Sequence, residues 1–199
     1  DLYCIETLAR VDTLCLDKTG TITEGKMEVV DVVPIGKHKI NEIDVALESI
    51  SNNLNDKNPT FNALHDKYKN SDYIKAKDII SFSSDRKYSG VILSDVSYIL
   101  GAPEIVLKNE YKKYENKIND LSMENRVLAL VRSKNKTIKN GISDDIEALG
   151  LVIIRDKIRK EVINTLRYFM DNDIEIKVIS GDNTKTVSSI ARSVGIDIK

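Results

Sequence analysis

Asp17, Lys18, Thr19, Gly20, Thr21 and Thr23 place one carboxylate beside a cation and a set of hydroxyls. A carboxylate acts as a nucleophile when cations disperse the charge of its target. Gly20 permits a tight backbone path, exposed amides and the three hydroxyls suit phosphate oxygens, and Lys18 adds positive charge. A strand end followed by a Thr/Gly turn would carry the shorter string Asp-Lys-Thr equally well. The whole run from Cys15 to Thr23 favours phosphate chemistry.

Two further constellations bear chemistry. In Phe82-Ser83-Ser84-Asp85-Arg86-Lys87 an aromatic ring precedes a basic turn, a pairing that can stack a base and neutralise phosphate. A core Phe before a solvated hairpin turn is the plainer alternative. Ser180-Gly181-Asp182-Asn183 follows the apolar run Ile174–Ile179, where a hydroxyl and a Gly amide between strand and helix form an anion-binding corner. Asp182 or Asn183 as a helix N-cap would account for the same residues.

The elements that must position these groups follow from periodicity. Val11, Leu14 and Leu16, with Thr13 and Cys15 between them, predict a parallel strand covered on both faces, with Asp17 at its carboxyl end where ligands of open α/β sheets bind. Residues 1–10 predict the end of a helix or a short connection into the first strand, and 27–35 an extended segment. Helices are predicted from Asn41 to Asn53, after Asn58-Pro59, over 110–125, over 159–170 and over 184–194. Strands are predicted over 79–82, 88–93, 96–100, 126–131 and 174–179, and Leu151–Ile154, leading to Asp156, as a return to a parallel sheet. The βαβα succession at the end of the chain predicts a doubly wound parallel sheet.

Thirty basic and 31 acidic residues in a chain of 199 give a net charge of -1, so no global field points to nucleic acid or an anionic membrane. Cys4 and Cys15 lack metal-ligand spacing and predict reduced, packed thiols. No apolar run approaches the ~20 residues that span a bilayer, and no signal-peptide pattern stands at Asp1. The sequence is expected to be soluble, with room for one large or two small domains.

Asp17 to Thr23 resembles the phosphorylation signature of the P-type ATPases, the ion pumps of the haloacid-dehalogenase superfamily. Phe82 with its basic turn resembles the family's adenine-stacking element, and Gly101-Ala102-Pro103-Glu104, Arg126 to Leu130 and Ser180-Gly181-Asp182 resemble its later signatures. The resemblance implies that Asp17 accepts the γ-phosphoryl group of ATP. Lys18, Thr21, Ser180 and Gly181 are implied on the phosphoryl group, Asp182 and Asp156 as organisers of the site, and Asp17 with the Thr19 carbonyl on Mg2+. Phe82, Ser84, Lys87, Leu100, Gly101 and Arg126 are implied around the nucleotide. Related phosphatases carry an acid/base Asp where Thr19 stands. Thr has no useful pKa for that work, so an aspartyl-phosphate should persist.

The resemblance implies a phosphorylation domain built from 1–28 and 149–199, with a nucleotide-binding α+β domain of 29–148, on an antiparallel sheet, inserted between. The chain then reads as the cytoplasmic part of a multi-pass cell-membrane cation pump, acting with actuator and transmembrane domains absent from this sequence. Leu100 stands where the family has Lys, and Phe61 where it has Glu, so ATP binding is expected to be weak, by about 1 kcal/mol or more per lost polar contact. Later family elements, a Lys on the phosphate and a magnesium-binding loop, are not in this sequence, and the chain alone is expected not to turn over. A non-catalytic nucleotide-binding module and a soluble phosphatase with a large cap are the alternatives. The absence of His-Pro and Gly-x-Gly-x-x-Gly motifs points away from heavy-metal pumps and towards the branch with calcium and other cation transporters.

Overall fold

The computed structural model describes residues 11–70, 73–134 and 141–179, together with Ser188, Ala191, Arg192 and Gly195. The helix end or connection expected over 1–10 and most of the helix expected over 184–194 lie outside the described residues, as does Cys4. The chain divides into two compact units, Asp1–Lys26 with Asp156–Lys199, and Met27–Arg155. The α/β expectation holds, with a parallel sheet and an inserted antiparallel one.

In the first unit β1 (Thr13–Asp17) pairs in parallel with β8 (Glu175–Ile179), in a register that sets Leu14 opposite Ile176 and Asp17 opposite Ile179. Helix α5 (Val162–Asp171) presents Val162, Leu166, Phe169 and Met170 at helical spacing to Leu14, Leu16, Ile22, Ile176 and Val178. Asp173, at φ 59°, turns the chain into β8.

The strand differs from its expectation. Among the described residues the apolar core lies on the Leu14/Leu16 side only, and Cys15 is exposed, not a packed thiol. Alternation explains it: side chains of successive strand residues point to opposite faces, so Cys15 and Asp17 share the face away from Leu14 and Leu16.

The second unit is built on a sheet in the order β2-β7-β6-β5-β4-β3. Its strands are β2 (Thr23–Pro34), β3 (Asp78–Ile80), β4 (Tyr88–Ile92), β5 (Ser97–Gly101), β6 (Arg126–Ser133) and β7 (Ile146–Ile158). From β3 to β7 every neighbouring pair is antiparallel. Helices α1 (Ile40–Asn53) and α2 (Pro59–Tyr68) bury Ile43, Leu47, Ile50, Phe61 and Leu64 against Leu100, Leu130, Val152 and Ile154. The alternate residues Ile99, Ala129, Val131 and Leu151 pack with Val106 at the end of α3 (Pro103–Val106) and Ile118 of α4 (Tyr111–Ser122). The sheet is therefore covered on both faces.

That double coverage corrects one reading. Leu151–Ile154 pairs antiparallel with β6, Leu151 opposite Ala129 and Ile154 opposite Arg126. A continuous apolar run reports burial on both faces, and an interior antiparallel strand with helices on both sides satisfies it as well as a parallel one does. Local signals held elsewhere. Asn58 caps α2 by accepting the Phe61 amide at 2.8 Å, and Pro59 occupies the first turn where its missing N–H costs nothing.

Candidate functional site

Asp17 is the last residue of β1 and is exposed. Beyond it Lys18–Ile22 forms one wide turn, closed by the Thr23 amide donating to the Lys18 carbonyl, with Gly20 in the left-handed region at φ 81°. Thr23 is fully buried, and its hydroxyl accepts the Gly20 amide at 3.3 Å. The loop is thereby shaped from within by one hydroxyl. Thr19 and Thr21 stay exposed.

The residues 156–159 fasten this loop from outside. Lys18 is 3% exposed, and its ammonium lies 2.6 Å from Asp156 Oδ2. The expectation put that ammonium on phosphoryl oxygens; the structure engages it with Asp156. The Arg159 guanidinium donates to the Gly20 carbonyl at 2.8 Å, and the Arg159 amide to the Ile22 carbonyl at 3.0 Å. Lys157 pairs with Glu24 at 2.9 Å, and its hydrogen bond holds the Glu24 carboxyl below the usual range. Asp156, implied in sequence as an organiser of the site, meets the Asp17 loop through Lys18. Sequence reasoning missed Lys157 and Arg159, because nothing in a Lys-Ile-Arg-Lys string says which side chain meets a loop some 140 positions earlier.

Ser180, Gly181 and Asp182 lie outside the described residues. Ile179, just before them, is the register partner of Asp17. For a magnesium ion the described residues offer the Asp17 carboxylate and the Thr19 carbonyl, hard oxygen donors of the kind Mg2+ takes. Among the described residues no group of three or more His, Cys, Asp or Glu gathers to complete a cage.

In the second unit a cavity of about 500 Å³ opens between α2, α4 and the β4–β6 face. Of the residues expected around a nucleotide it brings together Phe82, Lys87, Leu100, Gly101 and Arg126, and Ser84 is not among its lining. Phe82 is 47% exposed, its ring free to stack, and its amide donates to Asp56 Oδ2 at 2.9 Å. Arg126 reaches Thr60 Oγ1 at 2.7 Å. Leu100 and Phe61 are buried and make part of the wall apolar.

Gly101 is required where it stands. A Cβ there would come within 2.5 Å of the Lys87 carbonyl and of Tyr88 Cβ. The same Lys87 carbonyl accepts the Ala102 amide at 2.9 Å, and Lys87 itself has φ 58°. Strands β4 and β5 therefore meet tightly beside the cavity. Asp56, Tyr111 and Asn119 also line it and were not anticipated; a loop carboxylate and two residues of a charged helix carry no local signal of a pocket.

Residues 11–199 match the family model described as haloacid dehalogenase-like hydrolase. The chain is 41% identical over 202 residues to "Probable cation-transporting ATPase exp7" of Streptococcus pneumoniae serotype 4, covering 98% of this chain and 25% of that protein. It is 29% identical to "Calcium-transporting ATPase CtpE" of Mycolicibacterium smegmatis, covering 98% and 24%. The chain thus spans about a quarter of the length of these curated relatives. Among solved structures, a zinc-transporting PIB-type ATPase in its E2.Pi state superposes with a TM-score of 0.77 at 19% identity, over 98% of this chain and 30% of that one. The catalytic domain of the CPx-ATPase CopB-B gives 0.59 at 18% identity, over 98% and 63%. At such identities these two likenesses show the fold.

Proposed function

Because the chain belongs to the haloacid dehalogenase-like hydrolases, as a nucleotide-binding and phosphorylation segment of the P-type cation-transporting ATPases, we propose that Asp17 accepts the γ-phosphoryl group of ATP. In the full-length protein this step would drive cation transport. The observation that carries the reading is Asp17 itself, exposed at the carboxyl end of a parallel strand and followed at once by a loop held in shape at Lys18, Gly20 and Ile22.

A carboxylate oxygen of Asp17 attacks the γ-phosphorus in line. The new O–P bond replaces the bond to the β–γ bridging oxygen, which leaves with its electron pair on ADP. The hydroxyl of Thr21 and the amides of the loop receive the phosphoryl oxygens. Magnesium, when bound by the Asp17 carboxylate and the Thr19 carbonyl, supplies positive charge to those oxygens. Thr19 leaves no carboxylate two residues from the nucleophile to activate water, so the aspartyl-phosphate outlives its formation.

ATP enters the cavity of the second unit with adenine on Phe82 and its phosphates towards Arg126 and Lys87. Among the described residues no helix is long and apolar enough to cross a membrane. Two measurements test the reading. Calorimetric titration with a non-hydrolysable ATP analogue should show binding that Phe82→Ala weakens by about tenfold or more, the value of a base–aromatic stack. Full-length protein given radiolabelled ATP should carry acid-stable, hydroxylamine-labile phosphate that Asp17→Asn abolishes; label that survives this substitution overturns the assignment.

A further inference from the structure

We infer that Arg159 is a positioning residue for phosphoryl transfer, acting through the peptide bond between Gly20 and Thr21; the inference rests on the reading of Asp17 as phosphoryl acceptor. A trans peptide is planar, so its C=O and the following N–H point in opposite directions. By holding the Gly20 carbonyl at 2.8 Å, the Arg159 guanidinium therefore also fixes the direction of the Thr21 N–H. The Thr21 amide, four residues from Asp17, is taken as a donor to the phosphoryl oxygens; the same peptide turned over would present a carbonyl oxygen instead.

Gly20 stands at φ 81° and ψ -12°, a conformation that glycine alone occupies without strain. The flanking carbonyls are held otherwise: Lys18 O by the Thr23 amide, Ile22 O by the Arg159 amide. Substituting the Arg159 side chain leaves both of those bonds in place. Only the central carbonyl depends on the guanidinium, which makes Arg159 separable from the fold of the loop.

The test uses the full-length protein and the variants Arg159→Met, which keeps an apolar stem without a donor, and Arg159→Lys, which keeps a stem and a donor. Acid-quenched phosphoenzyme formation from radiolabelled ATP is followed against ATP concentration, with thermal melts alongside. The expected result is a phosphorylation rate about a hundredfold lower for Met, the scale of a misplaced reacting group, at an unchanged ATP concentration for half-maximal rate, and recovery of most of the rate with Lys. A Met variant as fast as the native protein overturns the inference and leaves the acceptor assignment standing. Equal slowing of Met and Lys, or a Met defect that appears as a raised half-maximal ATP concentration, also overturns it. Native protein that takes no label, or keeps it in Asp17→Asn, overturns the acceptor assignment and this inference together. Should the Met variant fail to fold, the Lys variant is compared with Arg159→Gln, whose shorter stem leaves the Gly20 carbonyl unreached, on the same two readouts.

Discussion

The Arg126 guanidinium donates to Thr60 Oγ1 at 2.7 Å, joining the first residue of β6 to the first turn of α2 across 66 positions of sequence. Thr60 in turn donates to Met27 Sδ at 3.7 Å, so one hydroxyl serves as acceptor for the cation and donor to the sulfur. Arg126 is thus aimed before any ligand arrives, which lowers the ordering cost of using it. Thr60→Val should weaken ATP and ADP binding by about threefold to tenfold while leaving adenosine binding unchanged, the scale of one ordinary hydrogen bond's net contribution. Calorimetry with the three ligands separates the cases; equal weakening of all three would show that Thr60 shapes the pocket and does not aim the cation.

Gly101→Ala should lower the stability of the second unit by about 1–3 kcal/mol, as overpacking does. Its Cβ meets backbone at the Lys87 carbonyl and the branch point of Tyr88, neither of which can swing aside. Chemical denaturation measures the loss, and wild-type stability with unchanged ATP affinity would contradict the tight β4–β5 contact.

Leu100→Lys should tighten ATP binding and lower the melting temperature together. Leu100 is 3% exposed and packs in the α1–α2 core, yet it also lines the cavity. A lysine stem can follow the apolar wall while its ammonium reaches the lumen. A gain of about tenfold in affinity is expected from a charged hydrogen bond. A variant that melts lower without binding more tightly would refute the account of weak affinity.

Asp156→Ala should destabilise the first unit by about 1–3 kcal/mol, since it removes a close carboxylate from a buried ammonium. Lys18→Met should cost less, because an apolar chain of similar length fills the site without a charge to solvate. Thermal melts of the two variants give the order directly; the reverse order would mean that the Lys18 charge is needed for reasons other than its fit to Asp156.

Acid should weaken the second unit partly through Glu147. The Arg132 hydrogen bond, aided by the charge of that guanidinium and of His38, holds the Glu147 carboxyl below its ordinary value of 4.5. A carboxyl depressed in the folded state contributes stability above its unfolded pKa and loses it as pH falls through the folded one. Arg132→Met should therefore lower the urea midpoint at pH 7 and bring the native and variant midpoints closer at pH 3.5. A gap that is constant across pH would exclude the carboxyl as its source.

Much of this was legible because the signals were local. Asn58-Pro59 announced the start of α2, and Tyr111, Tyr114, Ile118 and Leu121 announced α4 by their spacing, though the helix is shorter at both ends than expected. Asp17 stood out because its neighbours are unusual in type and order. Pairing was harder. Leu151–Ile154 looked the same whether its partners ran parallel or antiparallel, and Cys15 looked buried because composition reports a strand and not how many of its faces are covered. Arg159 was invisible for a further reason: its partner is a backbone carbonyl, which every residue possesses.

The sheet order places β2 beside β7, the first strand of the second unit beside its last, and Glu28 pairs with Arg155 at 3.2 Å. A segment of some 130 residues therefore begins and ends at one spot. To the chain that hosts it, the whole unit imposes little more closure entropy than a short turn would, because its own folding brings the ends together. The second unit can accordingly be excised with its two ends joined by a few residues, or re-cut at an exposed loop such as Ser94-Asp95, and its sheet should still form.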